Sequence, residues 1–339
     1  MRTASAADNI MVHSNWGVSI LVAVVKVGFA LVANALGFCC RYGHTSTAQL
    51  LLDKGIEVHK ECDKNAFTSL HKACANGHTS TARVLLDACP KLREVEDDEG
   101  KFSVGGNTPL LAAANSGYAQ TLLTLLEHGA NYKKTDKKGR NAVHLAANNG
   151  HVKALQVMFA KLKTTAGRTA IQDLVNEFAP LCETDYPQYK QMLSPLMYAT
   201  LAGHTPVVAA LLNAKADPFK VADEDKGKEG VMTVLELAVA TNNVEIVKRL
   251  LEESDKKQLS SYLERARLVA EKHGYADIVE KLQTSRNKAS VRKQSTQEFR
   301  KRVERAQSFS SDLFFESDNM LQVTEELVWD RKQAFSGQL

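Results

Sequence analysis

The stretch Asp136-Lys-Lys-Gly-Arg-Asn-Ala-Val-His-Leu-Ala-Ala-Asn-Asn-Gly-His151 decides the fold, because it is a polar turn, a short run of small apolar residues and a Gly-His pair. An equivalent phrase, Gly106-Asn-Thr-Pro-Leu-Leu-Ala-Ala-Ala-Asn-Ser-Gly-Tyr118, stands 33 residues earlier, so Gly117 and Gly150 occupy matching positions. Recurrence at a period of roughly 20–50 residues is typical of stacked structural repeats. The sequence therefore predicts one long array of similar units.

The same phrase can be followed through most of the chain. The glycine next to its last residue, here named the junction glycine, is Gly43, Gly77, Gly117, Gly150, Gly203 and Gly274, with Asn242 in its place in one repeat. The steps between these residues are 34, 40, 33, 53, 39 and 32 residues, and the longer steps indicate insertions near residues 90–104 and 163–193. We predict six repeats and a polar capping seventh over residues 34–283, since a terminal repeat has one face in water.

Each position in the phrase has a physical role. The first is Asn, Thr or Ser, whose side-chain oxygen can cap the free N–H groups of a helix. Proline follows it in two repeats and fits the first helical turn. The final glycine can end this helix in the left-handed conformation. A second helix follows, with buried pairs such as Leu85-Leu86. The pattern predicts an all-α solenoid of helix-turn-helix units.

These phrases resemble the ankyrin repeat, whose consensus contains Thr-Pro-Leu-His-x-Ala and later Leu-Leu-x-x-Gly-Ala. Glu127-His-Gly-Ala-Asn131 resembles the exit turn of that repeat. The consensus histidine is present as His71 and His144. It is replaced by Gly37, Leu111, Met197 and Glu236 in other repeats, where we expect less rigid turns.

The resemblance implies that partners bind to the turns and to the residues just before the junction glycine. In this chain those helix-end candidates are Tyr42, Asn76, Asn115, Ser116, Asn148 and Asn149. Residues 131–140, here named the lysine turn, add Lys133, Lys134, Lys137, Lys138 and Arg140 against the single acid Asp136. One hypothesis is that the lysine turn recognises an acidic segment or a phosphate, and the alternative is an ordinary solvated surface.

The two insertions differ in character. The first carries Glu94, Glu96, Asp97, Asp98 and Glu99, and we expect an acidic, solvated loop. The second contains a candidate amphipathic helix over residues 170–178. Residues 1–33 form an apolar N-terminal segment, in which residues 18–33 are interrupted by Lys26. This segment is interpreted as a degenerate cap of the array, as a signal peptide or membrane anchor, or as a part absent from the mature protein.

Residues 284–339 change in composition and form a predicted regulatory tail, mostly disordered or helical. Residues 286–309 have a net charge of +6, and residues 310–339 have a net charge of −4. Such charge-segregated tails commonly acquire structure only on a partner. Ser295 and Ser308 each follow an arginine by three residues, which makes them candidate phosphorylation sites.

Catalytic and metal chemistry have little support in the sequence. Cys62, His71, Cys74 and His78 could be written as a zinc cluster, but they lack paired C-x₂-C spacing and occupy repeat positions. Cys182 and Asp185 lack an activating context, and there is no phosphate-binding glycine loop. We therefore expect no catalysis, no metal and no cofactor.

The net charge and the spacing of the cysteines limit the classes of partner and the cellular compartment that we expect. The net charge of +4 is too small to indicate nucleic-acid binding by itself. The six irregularly spaced cysteines indicate free thiols in a reducing compartment, hence a cytoplasmic protein. The sequence predicts a monomeric adaptor or scaffold in signalling that binds another protein. The alternatives are a membrane-associated protein anchored by residues 18–33 and an inhibitor or regulatory subunit of an enzyme.

Overall fold

The structure, a computed structural model, describes residues 29–56, 67–97, 99–100, 103–180, 191–222, 225, 231–253, 256–286, 297–298, 300–301 and 303. Of the apolar N-terminal segment, it describes only the last five residues, which begin the first helix. Cys62, Cys182, Asp185, Ser295 and Ser308 lie outside the described residues, so the interpretations placed on them stay predictions.

Helices form almost all of the regular structure. They are α1 (Phe29–Tyr42), α2 (Thr45–Asp53), α3 (Ser69–Ala75), α4 (Thr79–Ala88), α5 (Pro109–Ser116), α6 (Ala119–Glu127), α7 (Ala142–Asn148), α8 (Val152–Thr165), α9 (Gly167–Val175), α10 (Pro195–Leu201), α11 (Thr205–Asn213), α12 (Val234–Ala240), α13 (Val244–Glu253), α14 (Lys256–His273) and α15 over residues 276–286. A 3₁₀ helix (Pro90–Glu94) precedes two short strands, β1 (Glu99–Gly100) and β2 (Ser103–Val104), which pair in antiparallel fashion.

The helices stack in two layers. The inner helices α1, α3, α5, α7, α10, α12 and α14 contact one another in that order. The outer helices α2, α4, α6, α8, α11 and α13 do the same in a second layer. Each inner helix from α1 to α12 also packs on the outer helix that follows it. This arrangement confirms the predicted solenoid.

Polar caps begin the inner helices as the sequence predicts. The capping residues are Thr68, Thr108, Asn141, Ser194 and Thr233, and each side chain accepts a hydrogen bond from the N–H three residues further on. At Asn141 this bond is 3.0 Å long. His71 and His144 complete capping boxes with Thr68 and Asn141. The buried polar ends of the inner helices are thereby satisfied.

The expectation of a less rigid turn is wrong at Glu236. Its carboxylate accepts the backbone N–H of Thr233 at 2.7 Å and so supplies the capping bond that histidine supplies elsewhere. Arg265 of α14 places its Nε 2.7 Å from the same carboxylate, whose side chain is only 2% exposed. A carboxylate can therefore replace the consensus histidine here because the terminal helix brings a cation to it.

The junction residues adopt the predicted left-handed conformation. Gly117 has φ +79°, and Asn242, which replaces glycine, has φ +53°. Asparagine enters this region more readily than most residues with a Cβ atom. The sharp turn between the two helices of a unit therefore survives this substitution.

The core lies between the two layers. Alanines such as Ala113 and Ala146 let the inner helices approach closely, while Leu85, Leu125 and Leu155 are fully buried on the outer helices. Each such leucine contributes roughly 1.5–3 kcal/mol of burial free energy. The predicted apolar pair Leu85-Leu86 is thus buried on the outer helix that carries it.

The prediction of a solvated acidic loop is wrong at Asp97. Its side chain accepts the N–H of Asn107 at 2.7 Å, and the residue is 2% exposed. Its backbone N–H also donates to Asn107 O at 2.9 Å, and its carbonyl accepts from Gly106 N at 2.7 Å. Asp97 is therefore the anchor that closes the insertion onto the following unit.

The second insertion contains the expected amphipathic helix, shifted toward the N-terminus. This helix, α9, spans Gly167–Val175 instead of residues 170–178. Its buried residues are Ala170, Ile171, Leu174 and Val175, and they face α8 and α7. A single bridge, Ala179 with Leu193, closes the base of the insertion.

The chain divides into two compact units, one ending at Ile278 and one beginning at Val279. The array belongs to the first unit. Of the second unit, the structure describes residues 279–286, 297–298, 300–301 and 303. No helix among the described residues is long and apolar enough to cross a lipid bilayer.

Candidate partner-binding surface

Three asparagines end consecutive inner helices and form a row of exposed amides. We name Asn76, Asn115 and Asn149 the amide row; they lie at the C-terminal ends of α3, α5 and α7. Asn149 Nδ2 donates to Asn115 Oδ1 at 3.0 Å and to Leu145 O at 2.9 Å. Asn76 Nδ2 donates to Lys72 O at 2.7 Å. The amides are thus both accessible and held by the array.

The other helix-end candidates surround this row. Tyr42 is 50% exposed at the end of α1, and its ring centroid lies 4.4 Å from that of Phe38. Ser116 and Asn148 are half-buried. The structure therefore places the predicted helix-end residues on neighbouring units, although with unequal exposure.

Histidines bind to the ends of three inner helices, two of which, α5 and α7, carry members of the amide row. The Nε2 atoms of His78, His151 and His204 lie 2.9–3.1 Å from the carbonyl oxygens of Arg41, Asn115 and Asn148 in the preceding unit. A carbonyl can only accept, so Nε2 carries the proton and donates. The sequence contained the signal, because His follows the junction glycine repeatedly, but sequence reasoning assigned no role to that histidine.

The same histidines pack on the junction glycine of the preceding unit. A Cβ atom on Gly43 would lie 2.5 Å from His78 Nδ1, and one on Gly117 would lie 2.5 Å from His151 Cγ. Glycine is needed at these positions for two reasons, the positive φ and the space taken by the next unit's ring. The ends of α5 and α7, which carry Asn115 and Asn149, are therefore held both by a histidine hydrogen bond and by a histidine ring on the junction glycine.

A buried ion pair organises the lysine turn. Asp136 Oδ1 accepts the backbone N–H groups of Lys138 and Arg140 at 3.0 and 2.8 Å. Its other oxygen accepts Arg140 Nε at 2.8 Å, and the two side chains are 0% and 12% exposed. The guanidinium of Arg140 is therefore committed to the structure of the turn. The exposed cations of the turn are Lys133 and Lys137.

Acidic residues of the first insertion lie against the lysine turn. Glu94 Oε1 accepts the backbone N–H of Asn131 at 2.9 Å, and Glu96 Oε1 accepts from Lys134 Nζ at 2.7 Å. The hydrogen bond and charge of Glu96 raise the pKa of Lys134. Sequence reasoning placed these two features separately. Their contact depends on how the insertion folds back.

The remaining lysines of the turn differ in accessibility. Lys133 and Lys137 are exposed, whereas Lys138 is half-buried. Lys133 Nζ lies 6.0 Å from the ring centroid of Tyr132. The backbone N–H of Lys137 donates to Gly105 O at 3.1 Å, which ties the turn to the preceding unit. The lysine turn thus presents two exposed lysines, Lys133 and Lys137, beside the ion pair of Lys134 with Glu96.

A cleft of about 540 Å³ opens next to the lysine turn. Lys133 forms one wall, a second comes from Asp173 of α9 and from Asn176 just after that helix, and the chain after α11 contributes Asp217 and Lys220. Asn176 joins two of these walls, since its Oδ1 accepts Asp217 N at 2.7 Å. The second insertion therefore adds a polar pocket at the level of the turns.

Three of the four residues written as a zinc cluster, His71, Cys74 and His78, are described by the structure. His71 is buried in its capping box, and its Nε2 lies 2.9 Å from Asn107 O. Burial raises the pKa of the Cys74 thiol, which disfavours the thiolate that binds metal. His78 donates to Arg41 O. Within the described part of the chain, no group of three metal-binding side chains is brought together.

Comparison with known families identifies the repeats. The family model described as ankyrin repeats (3 copies) matches residues 17–94, 91–170, 110–222 and 166–261. These matches cover more than half of the chain.

Curated relatives share parts of the array. A probable E3 ubiquitin-protein ligase XBOS32 from Oryza sativa subsp. japonica is 29% identical over 131 residues, which are 35% of this chain and 26% of that protein. Human inversin is 30% identical over 157 residues, or 46% of this chain and 12% of inversin. Mouse Rabankyrin-5 is 42% identical over 55 residues, or 16% of this chain and 5% of that protein. The chain thus spans about a quarter or less of these relatives.

A solved structure was also found. The ankyrin repeat domain of human ASB11 has a TM-score of 0.48 and 24% sequence identity, covering 65% of this chain and 83% of that one.

Proposed function

This chain belongs to the ankyrin-repeat family, and from that premise we propose that it is a non-catalytic adaptor that binds a protein partner. The binding surface is the amide row together with the lysine turn. Ankyrin repeats indicate protein–protein interaction in general. The partner and the residues that contact it are our proposal.

The amide row is the observation that carries the proposal. Each asparagine amide has donor and acceptor groups, so a row of them can pair with both the N–H and the C=O groups of a partner's backbone. The row is mounted on helix ends that neighbouring units fix, as the bond from His151 to Asn115 O illustrates. A surface that is ordered before binding loses less conformational entropy on binding.

The lysine turn adds a preference for negative charge. Lys133 and Lys137 are exposed, and Lys134 already holds a carboxylate, that of Glu96. We propose that the partner presents an acidic segment to this turn. Electrostatic complementarity of this kind governs specificity and association rate more than total affinity.

The test compares capture by three forms of the full chain. In the first variant, all three residues of the amide row are changed to alanine. In the matched control, three exposed polar residues of the outer helices, Gln120, Gln156 and Asn213, are changed to alanine. We expect quantitative mass spectrometry of captured proteins to show a partner retained by the wild type and the control but lost by the amide-row variant. Equal capture by all three forms would overturn the proposal.

We also propose that the protein is a cytoplasmic monomer. In the described part of the chain Cys74 and Cys89 are free thiols, which suits a reducing compartment. Fractionation of cells expressing the chain with and without residues 1–32 tests the location, because membrane association through that segment predicts a shift on deletion. Light scattering tests the oligomeric state.

The tail is proposed as a separate regulatory segment over residues 284–339. Its basic half contains Ser295 and Ser308. Phosphorylation would reduce the positive charge of that half. Mass spectrometry of the cellular protein under varied stimulation tests this, and two unmodified serines would remove its basis.

A further inference from the structure

The lysine turn is already occupied by a pair of carboxylates from the same chain. Glu94 and Glu96, two residues apart, reach the backbone N–H of Asn131 and the Nζ of Lys134 at 2.9 and 2.7 Å. One donor is a fixed peptide group and the other a mobile cation. Together they form an anion site with two donors at defined separation.

The occupying carboxylates are held in place by their neighbours. Leu92, in the 3₁₀ helix that ends at Glu94, is 1% exposed. Asp97, next to Glu96, is fixed by four hydrogen bonds with Gly106 and Asn107, two of them between backbone groups. The backbone between these anchors is therefore kept beside the lysine turn, while the exposed side chain of Glu96 can exchange with water. The contact of this backbone with the lysine turn is a built feature of the fold.

The contacts are nevertheless weak enough to exchange. The side chains of Lys134 and Glu96 are 40% and 45% exposed, so water screens their attraction. An ion pair of this exposure contributes a factor of about two to five to an equilibrium. An incoming segment that also pairs with exposed Lys133 or Lys137 gains contacts that Glu94 and Glu96 do not make.

We propose that residues 94–96 are an intramolecular stand-in for the partner, and that the partner carries two carboxylates separated by one residue. The partner's first carboxylate replaces Glu94 at the N–H of Asn131, and its second replaces Glu96 at Lys134. This rests on the proposed function of the lysine turn and adds both the ligand pattern and its competitor. A segment with fewer negative charges would then fail to displace Glu94 and Glu96 from the lysine turn.

The probe is a fluorescein-labelled peptide with the sequence Gly-Ser-Glu-Val-Glu-Asp-Gly-Ser, whose binding to the full chain is followed by fluorescence anisotropy. The test variant combines Glu94→Gln with Glu96→Gln. The matched control combines Glu127→Gln with Asp173→Asn, which removes the same charge from exposed positions near the lysine turn. Salt is fixed at one low concentration for all comparisons because exposed ion pairs are screened.

We expect the test variant to bind the peptide about two- to fivefold more tightly than the control. Adding Lys134→Gln should cancel this gain, because the competition takes place at that ammonium group. A peptide of the same composition in which no two carboxylates are separated by a single residue, Gly-Ser-Glu-Glu-Val-Gly-Asp-Ser, should bind less tightly at equal charge.

Two failures can be told apart. Binding by the wild type with equal affinity for the test variant and the control would overturn the competition while the proposed role of the lysine turn stands. No binding by any form, including the test variant, would overturn the proposed role of the lysine turn and this inference with it. Binding by the test variant alone would support a strong competitor.

Discussion

Replacing Gly117 with alanine should destabilise the array much more than the same change at Gly129. Both glycines have nearly the same backbone conformation, with φ +79° and +78°. A Cβ atom on Gly117 would lie 2.5 Å from His151 Cγ, whereas one on Gly129 would meet nothing within 4 Å among the described residues. The pair therefore separates backbone strain from the contact between units.

The magnitudes follow from these contacts. Alanine in the left-handed region costs about 1–2 kcal/mol at either site. At Gly117 the His151 ring must also move, which removes its hydrogen bond to Asn115 O at 3.0 Å. A lost hydrogen bond costs about 0.5–1.5 kcal/mol, and the ring's packing adds a similar amount. We expect a free energy of unfolding lower by about 3 kcal/mol for Gly117→Ala and by about 1–2 kcal/mol for Gly129→Ala.

Urea unfolding followed by circular dichroism measures both free energies, with fluorescence as a second probe of cooperativity, since repeat arrays can depart from two-state behaviour. A double-mutant cycle supplies the control. In a His151→Ala background the clash is absent, so Gly117→Ala should cost no more than Gly129→Ala. Equal losses for the two glycines in the wild-type background would refute the reasoning.

Three further predictions concern charge. Desolvation lowers the pKa of buried His144 from 6.5 to about 3, so between these values the unfolded chain binds more protons and stability falls as the pH falls. His144→Gln should reduce the dependence of the free energy of unfolding on pH by up to about 1.4 kcal/mol per pH unit. Urea unfolding at pH 7, 6 and 5 measures this dependence, and an unchanged dependence would contradict a lowered pKa at His144. Arg265→Ala should lower the free energy of unfolding by about 1–2 kcal/mol because it leaves the buried Glu236 carboxylate without its cation, and adding Glu236→Gln should recover most of the loss. Lys137→Glu with Lys138→Glu should weaken partner binding and flatten its salt dependence, and unchanged binding would leave the lysine turn without a role in recognition.

The helices and turns of each repeat could be predicted because the interactions that begin and end them join residues close in sequence. A capping residue such as Asn141 acts on an N–H three residues away, and a junction glycine such as Gly117 sets its own φ. Both effects are encoded within a single repeat phrase. The repetition of the phrase then identifies the stacking, since each unit buries its apolar face on the next.

The contacts between units were not predictable in the same way. His151 and Asn115 are 36 residues apart, and Lys134 and Glu96 are 38 apart. The first contact joins units one regular 33-residue step apart, whereas the second depends on how the first insertion folds back onto the lysine turn. Arg140 also illustrates this limit, because its charge suggested a surface role while its guanidinium lies on buried Asp136. The composition of a turn gives the number of its charged residues, but it does not show which of them form ion pairs within the fold.

Asn149 belongs both to the contacts that hold the repeats together and to the proposed binding surface. Its amide donates to Leu145 O within its own helix and to Asn115 Oδ1 in the preceding unit. Substituting Asn149 alone therefore removes a binding group and a contact between units together. Asn76 donates only within its own unit among the described contacts. A loss of partner binding on Asn76→Ala with unchanged stability would thus assign recognition to the exposed amide, whereas parallel losses of binding and stability at both positions would assign the asparagines to the internal contacts of the fold.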